Sequence, residues 1–197
     1  SEPRHKGKSL RHLMNRRRGA TASFLLAAAL VLAGCSTDTV EDPVLQELGL
    51  DGMSGQEVVE MLDASTAARP FTFGASVLEE ELVISAGNQE TSLELPADMQ
   101  YISIAPFIEA THECYYHSLG TCQGELVDQT VDVTITDSSG QILVDEQATT
   151  YTNGFVGFWV PRDIEGTISV TYEGRVGSVP FTTADGSPTC ITTLQLT

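Results

Sequence analysis

Apolar residues recur at helical intervals up to about residue 65. From Phe71 onward they alternate with polar residues at a period of two. Val44–Leu50 predicts a short helix, with Asp51-Gly52 as a turn. Ser54-Gly55-Gln56-Glu57 places Ser and Glu at capping-box spacing, and Val58, Met61 and Leu62 follow on one face. This predicts a helix over 55–65, stopped before Pro70. Leu82-Val83-Ile84 and Ser92-Leu93-Glu94-Leu95 flank Ala86-Gly87-Asn88 and predict a hairpin. Pro96-Ala97-Asp98 interrupts the pattern, and Tyr101–Ile104 resumes it as a strand. Val131, Val133 and Ile135 alternate with polar residues up to a turn at Asp137-Ser138-Ser139-Gly140. Ile142–Val144 and Thr149–Thr152 follow. Asn153-Gly154 is a hairpin-turn signal leading into Phe155–Val160. Thr167–Tyr172, Val176–Phe181 and Ile191–Leu196 complete the set. The fold class expected is α+β: a small helix-plus-hairpin N-terminal unit over 44–98, then an antiparallel β-sandwich-like domain over 99–197. Phe158 and Trp159 are expected in the core of that sandwich.

The opening residues follow a different logic. Arg16, Arg17 and Arg18 precede an apolar stretch from Phe24 to Ala33, which ends in Leu32-Ala33-Gly34-Cys35. A basic region, a short apolar region and small residues before a cleavage point mark a secretory signal. Roughly 10 apolar residues are too few to cross a hydrocarbon core. Leu-Ala-Gly-Cys also resembles the bacterial lipobox, which implies cleavage before Cys35 and acylation of its thiol. Residues 1–34 are therefore expected to be removed, and 35–43 to form a lipidated tether on the outer face of a bacterial membrane. Met14 opens a complete signal by itself, so Ser1–Leu13 is expected to be an upstream extension. Removal of 34 of the 197 residues leaves 163, enough for one domain or two small ones. The leader takes 7 of the 10 basic and 1 of the 27 acidic residues, leaving 3 Arg, no Lys and a formal charge of −23. Such a surface repels phosphates, which excludes nucleic acid as a partner.

The run from Thr111 to Glu125, Thr-His-Glu-Cys-Tyr-Tyr-His-Ser-Leu-Gly-Thr-Cys-Gln-Gly-Glu, breaks the alternation. The histidines are His5, His12, His112 and His117, and the first two leave with the leader. Besides Cys35, the cysteines are Cys114, Cys122 and Cys190. Four of the five remaining soft donors thus fall within residues 112–122. Thiolate selects Cu(I) or Zn(II), and imidazole suits both copper and zinc. Structural zinc prefers four ligands, often from paired Cys knuckles. No knuckle pair exists here, so the spacing is weak for zinc and permissive for copper. Cys190 precedes the last strand and can be returned to the cluster by the fold. Cys114, Cys122 and Cys190 are the candidate copper ligands, with His112 and His117 as further candidates. Met99 could supply a thioether, though packing is its commoner role. A disulfide between Cys114 and Cys122 closing a loop is the alternative, in a stapled lipoprotein that acts as a binding module. That pairing leaves one free thiol. The two readings combine if Cys114 and Cys122 are a redox pair that reduces Cu(II), with Cys190 as a further Cu(I) ligand. A thiol enzyme built on Cys114 and His117 is the third class. Nothing in the sequence marks an oxyanion site or an orienting third group, and Cys-x-x-Cys is absent.

The runs Ile104-Ala105-Pro106-Phe107, Thr111–Leu119 and Thr121–Leu126 resemble the CueP family of bacterial periplasmic copper-binding proteins. So do Asn153–Asp163, the ending Pro188–Leu194, and the shorter Leu50-Asp51-Gly52 and Leu62-Asp63. The likeness covers most of residues 47–197. It implies copper resistance in the cell envelope, Cu(I) held by the three cysteines that fall on Cys114, Cys122 and Cys190, and help in reducing Cu(II). It also implies a two-domain protomer that dimerises through the N-terminal unit. The expected partners are copper ions, the membrane through the lipid anchor, a second copy of the chain and an unidentified copper acceptor. The lipobox sets this chain apart from a freely soluble periplasmic form.

Overall fold

The computed structural model describes residues 42–197. The signal, the lipobox with Cys35 and nearly all of the tether lie outside the described residues. Among those described, no helix is long and apolar enough to cross a membrane. The α+β expectation holds: two short helices precede mostly antiparallel strands.

Helix α1 (Pro43–Glu47) begins where Pro occupies the first turn and the Asp42 carboxylate accepts from the Val44 and Leu45 N–H groups. Helix α2 (Gly55–Asp63) carries the expected capping box, with Ser54 and Glu57 each accepting from the other's backbone N–H. Its buried stripe is Val58, Val59, Leu62 and Asp63. Strands β1 (Gly74–Val77), β2 (Glu81–Ala86) and β3 (Gln89–Glu94) form a meander under the helices, and Ala86 pairs with Gln89 across the Gly87-Asn88 turn. Gly87, with φ 61°, takes the left-handed conformation that such a turn needs. A later two-residue strand, β5 (His117–Ser118), joins the same sheet by pairing with β1.

Strand β4 (Met99–Ile104) is the middle strand of a three-stranded sheet. It pairs with β8 (Val156–Pro161) and, in parallel, with β11 (Cys190–Ile191). One face of this three-stranded sheet presents Ile102, Ile104, Val156, Phe158 and Val160. They pack on the sheet of β6 (Thr130–Asp137), β7 (Ile142–Thr149), β9 (Glu165–Tyr172) and β10 (Arg175–Thr182), ordered β10-β9-β6-β7. Val131, Val133 and Ile135 of β6 point into this core, as their alternation predicts. The opposite face presents Tyr101 and Trp159, which join the core under the helices. Trp159 is therefore not a sandwich-core residue like Phe158. One step along β8 reverses its side, and its indole N–H reaches Glu60 Oε1 of α2 at 2.9 Å.

Two further readings change. Ile142–Val144 and Thr149–Thr152 are not separate strands; β7 runs unbroken through Ile142–Thr149. Asn153-Gly154 does turn the chain, but not as a hairpin: β7 pairs with β6, and β8 with β4. The turn carries the chain between sheets, which frees the Asn153 side chain for another task. The expected terminal strand shrinks to Cys190–Ile191, with an isolated bridge from Gln195 to Phe107.

Candidate metal centre

The site lies where four chain segments meet at the edge of β4. Cys190 is placed by β11, opposite Ser103 of β4. Thr189 fixes this segment from several sides. Its carbonyl accepts from Ser103 N–H at 2.8 Å, and its hydroxyl donates to the Val77 carbonyl at 2.6 Å and accepts from His117 N–H at 2.9 Å. The N–H groups of Thr189 and Cys190 both donate to the Tyr115 carbonyl at 3.0 Å, which holds the Cys114 loop against β11. Cys122 follows a tight turn in which its N–H donates to the Ser118 carbonyl at 3.0 Å. Further out, the Glu125 carboxylate accepts from the N–H groups of Ile108, Glu109 and Ala110, and Thr111 Oγ1 donates to the Thr192 carbonyl at 2.6 Å. The loop leading to His112 is thereby tied on both sides.

These supports bring one donor atom each from Cys114, His117, Cys122 and Cys190 to within 4.8 Å of one another. Cys114 and Cys190 are joined as a disulfide, with Cα atoms 5.7 Å apart. Cys122 is a buried free thiol, its sulfur 3.4 Å from Cys114 Sγ. The redox pair expected from spacing, Cys114 with Cys122, is thus not the pair bonded here. Proximity in sequence suggested it, whereas β11 delivers Cys190 from 76 residues away. His112 stands apart from the four donors. Its ring lies edge-on to Phe155 at 6.0 Å, and its buried Nε2 has no hydrogen-bond partner. Met99 sits at the far end of β4, four residues from Ser103 and so ~13 Å away along the strand, too far to ligate there.

Sequence reasoning missed the support behind His117. The His117 ring is fully buried against Phe155 at 4.6 Å, and its Nδ1 faces Cys190 Sγ at 3.8 Å. Its Nε2 bonds Asp63 Oδ1 at 2.9 Å. Asp63, wholly buried at the end of α2, also accepts from Tyr101 OH at 2.7 Å, Asn153 Nδ2 at 2.7 Å and Ser103 Oγ at 3.2 Å. Tyr101 reaches it by lying across Gly157, where a Cβ would overlap the phenol hydroxyl. Burial opposes charge on His117, but the Asp63 carboxylate outweighs it and raises the pKa to about 9. Burial likewise opposes charge on Asp63, and His117 with the other donors holds its pKa below the usual value. An acidic residue at a helix C-terminus opposes the macrodipole. Arg69 offsets this by donating to the Leu62 and Asp63 carbonyls at 3.1 and 3.2 Å. The sequence signal was therefore an Asp in the wrong turn of an amphipathic helix, in register with Val59.

Two clefts flank Cys114. The larger, about 970 Å³, has Cys190, Tyr115, Thr136, Gly166 and Phe181 among its walls. The smaller, about 830 Å³, is lined by His112, Phe107, Glu113 and Thr192. Cys122 borders neither. Three sulfurs and an imidazole nitrogen held this close suit a soft cation, with the Asp63 carboxylate fixing the imidazole through its other nitrogen.

The family model for the periplasmic copper-binding protein CueP matches residues 57–195. Among solved structures, the chain is similar to the crystal structure of S.CueP. Identity is 40% and the TM-score 0.75, over 78% of this chain and 94% of that one. The comparison with curated proteins found no match.

Proposed function

The chain belongs to the CueP family of periplasmic copper-binding proteins, and from that premise we propose that its reduced centre holds Cu(I) through the thiolates of Cys114, Cys122 and Cys190 and helps reduce Cu(II). The family is periplasmic, so this is an exported protein. The observation that carries the reading is the convergence of three sulfurs and His117 Nδ1 within 4.8 Å. Two thiolates that join as a disulfide give up two electrons, which reduce two Cu(II) to Cu(I). The Cys114–Cys190 disulfide represents that oxidised state. His117 serves as a fourth donor or as a fixed positive neighbour of the sulfurs. His112 lines a cleft that also borders Cys114, and its buried Nε2 has no partner, which supports it as a donor on the way in. A disulfide staple alone would need neither the third sulfur nor a buried carboxylate behind the histidine.

The same proposal includes an acylated Cys35 that tethers the protein to the outer face of a membrane, pairing of two copies through the helix-and-hairpin layer, and a copper acceptor. The Leu32–Cys35 motif supports the first; the family resemblance supports the others. Adding Cu(II) to fully reduced protein tests the redox claim. The expected result is loss of two thiols for every two Cu(I) trapped by a Cu(I)-specific chelator. Unchanged thiols with no Cu(I) would refute it.

A further inference from the structure

The oxidised centre retains a thiol that the bound disulfide does not use. Cys122 Sγ stands 3.4 Å from Cys114 Sγ, and with all three sulfurs within 4.8 Å of one another it lies beside the Cys114–Cys190 bond, so attack on that bond needs the Cys114 side chain to turn the sulfurs into line. Cys114 is the sulfur of the disulfide that Cys122 contacts, and on its other side it is bonded to Cys190. Cys190 Sγ in turn faces the buried His117 Nδ1 at 3.8 Å, a polar neighbour for a departing thiolate. Cys122 and Cys190 are only 9% and 3% exposed, so outside thiols meet Cys114 first.

We propose that the oxidised centre is an internal thiol–disulfide exchange unit, with Cys114 as the shared sulfur and Cys122 as the nucleophile. The Cys122 thiolate attacks Cys114 Sγ. The Cys122–Cys114 bond forms as the Cys114–Cys190 bond breaks, and the electron pair passes to Cys190 Sγ. The proton given up by Cys122 is matched by the one Cys190 takes up, so no oxidant or reductant is consumed. The outcome is a move of the free thiol. Cys122 borders neither cleft, whereas Cys190, though buried, is among the residues that line the 970 Å³ cleft and faces His117 Nδ1, so exchange carries the thiol from the Cys122 turn to the β11 side of the centre. This rests on the reading above only in taking the disulfide form as a working state of the centre.

The test uses oxidised, metal-free protein. It is incubated with an alkylating reagent under mildly alkaline conditions, digested in acid to stop exchange, and mapped by mass spectrometry. Wild type should yield both alkylated Cys122 with a Cys114–Cys190 disulfide and alkylated Cys190 with a Cys114–Cys122 disulfide. In Cys122→Ser the Cys190 label should be lost. Cys190→Ser should oxidise to a Cys114–Cys122 disulfide. Cys190 left unlabelled in wild type, or labelled equally in Cys122→Ser, would overturn the proposal. So would a Cys190→Ser protein that forms no disulfide. None of these outcomes touches Cu(I) binding by the three reduced thiols, which is measured separately.

Discussion

The sandwich and the metal corner are held together in contrasting ways. In the β10-β9-β6-β7 sheet, neighbours in space are mostly neighbours in sequence, and the core behind it is Val131, Val133, Ile135, Ile168 and Val170. At the corner, residues 63, 101–103, 114–122, 153 and 189–190 come together from across the chain, and polar side chains bind them. An apolar core tolerates adjustment, because any side chain of similar shape restores most of the burial. A buried polar network does not, because deleting one member strands the others without water.

The strongest test of that contrast removes the hub. Asp63→Ala leaves the His117 imidazole, the Tyr101 hydroxyl and the Asn153 amide buried without their acceptor. The expected loss is about 3–5 kcal/mol, read from urea unfolding of metal-free protein. Ile135→Ala, in the sandwich, should cost about 2–5 kcal/mol through lost burial and a cavity. The two variants should differ in kind as well as size. Asp63→Ala should also weaken Cu(I) binding by ~10–100-fold, the effect typical of losing an outer-shell partner. Ile135→Ala should leave that affinity unchanged. Equal effects of the two on copper would erase the distinction.

The pH dependence sharpens it further. His117 is raised in the folded protein from 6.5 to about 9, so its contribution is complete below 6.5 and is lost as pH rises towards 9. Asp63 is lowered, so its contribution is present above the ordinary carboxylate value and fades only as pH falls through the lower folded one. Stability measured in Cys122→Ser, where His117 keeps its Asp63 partner, should decline as pH rises above 6.5. Asp63→Asn in that background should flatten the decline. A decline of unchanged size would mean that another group is responsible.

The smallest effect belongs to the most local feature. Ser54→Ala removes the α2 cap and should cost about 1 kcal/mol with no change in copper affinity.

That order follows how much of the molecule could be read from its residues. The capping box, the β2–β3 hairpin and the alternation of β6 depend on neighbours a few positions apart, and each stands where the pattern puts it. The crowding of Cys114, His117 and Cys122 into one loop was legible for the same reason. What escaped was non-local. Cys190 rather than Cys122 is bonded to Cys114, because a parallel pairing of β11 with β4 decides it. Asn153 looked like a turn former and is one, but its amide also binds Asp63. Asp63 entered the sequence reading only through the Leu62-Asp63 likeness, and only its register with Val59 on the buried face of α2 pointed to its burial.

A three-thiolate Cu(I) site would compete for copper, and a titration of fully reduced protein against a chromophoric Cu(I) chelator reads that competition. One Cu(I) should be tightly held, with Cys114→Ser, Cys122→Ser and Cys190→Ser each weakening it more than the ~10–100-fold expected when a partner behind a ligand is lost. Wild type that fails to compete with the chelator, or a cysteine variant that binds as tightly as wild type, would contradict it.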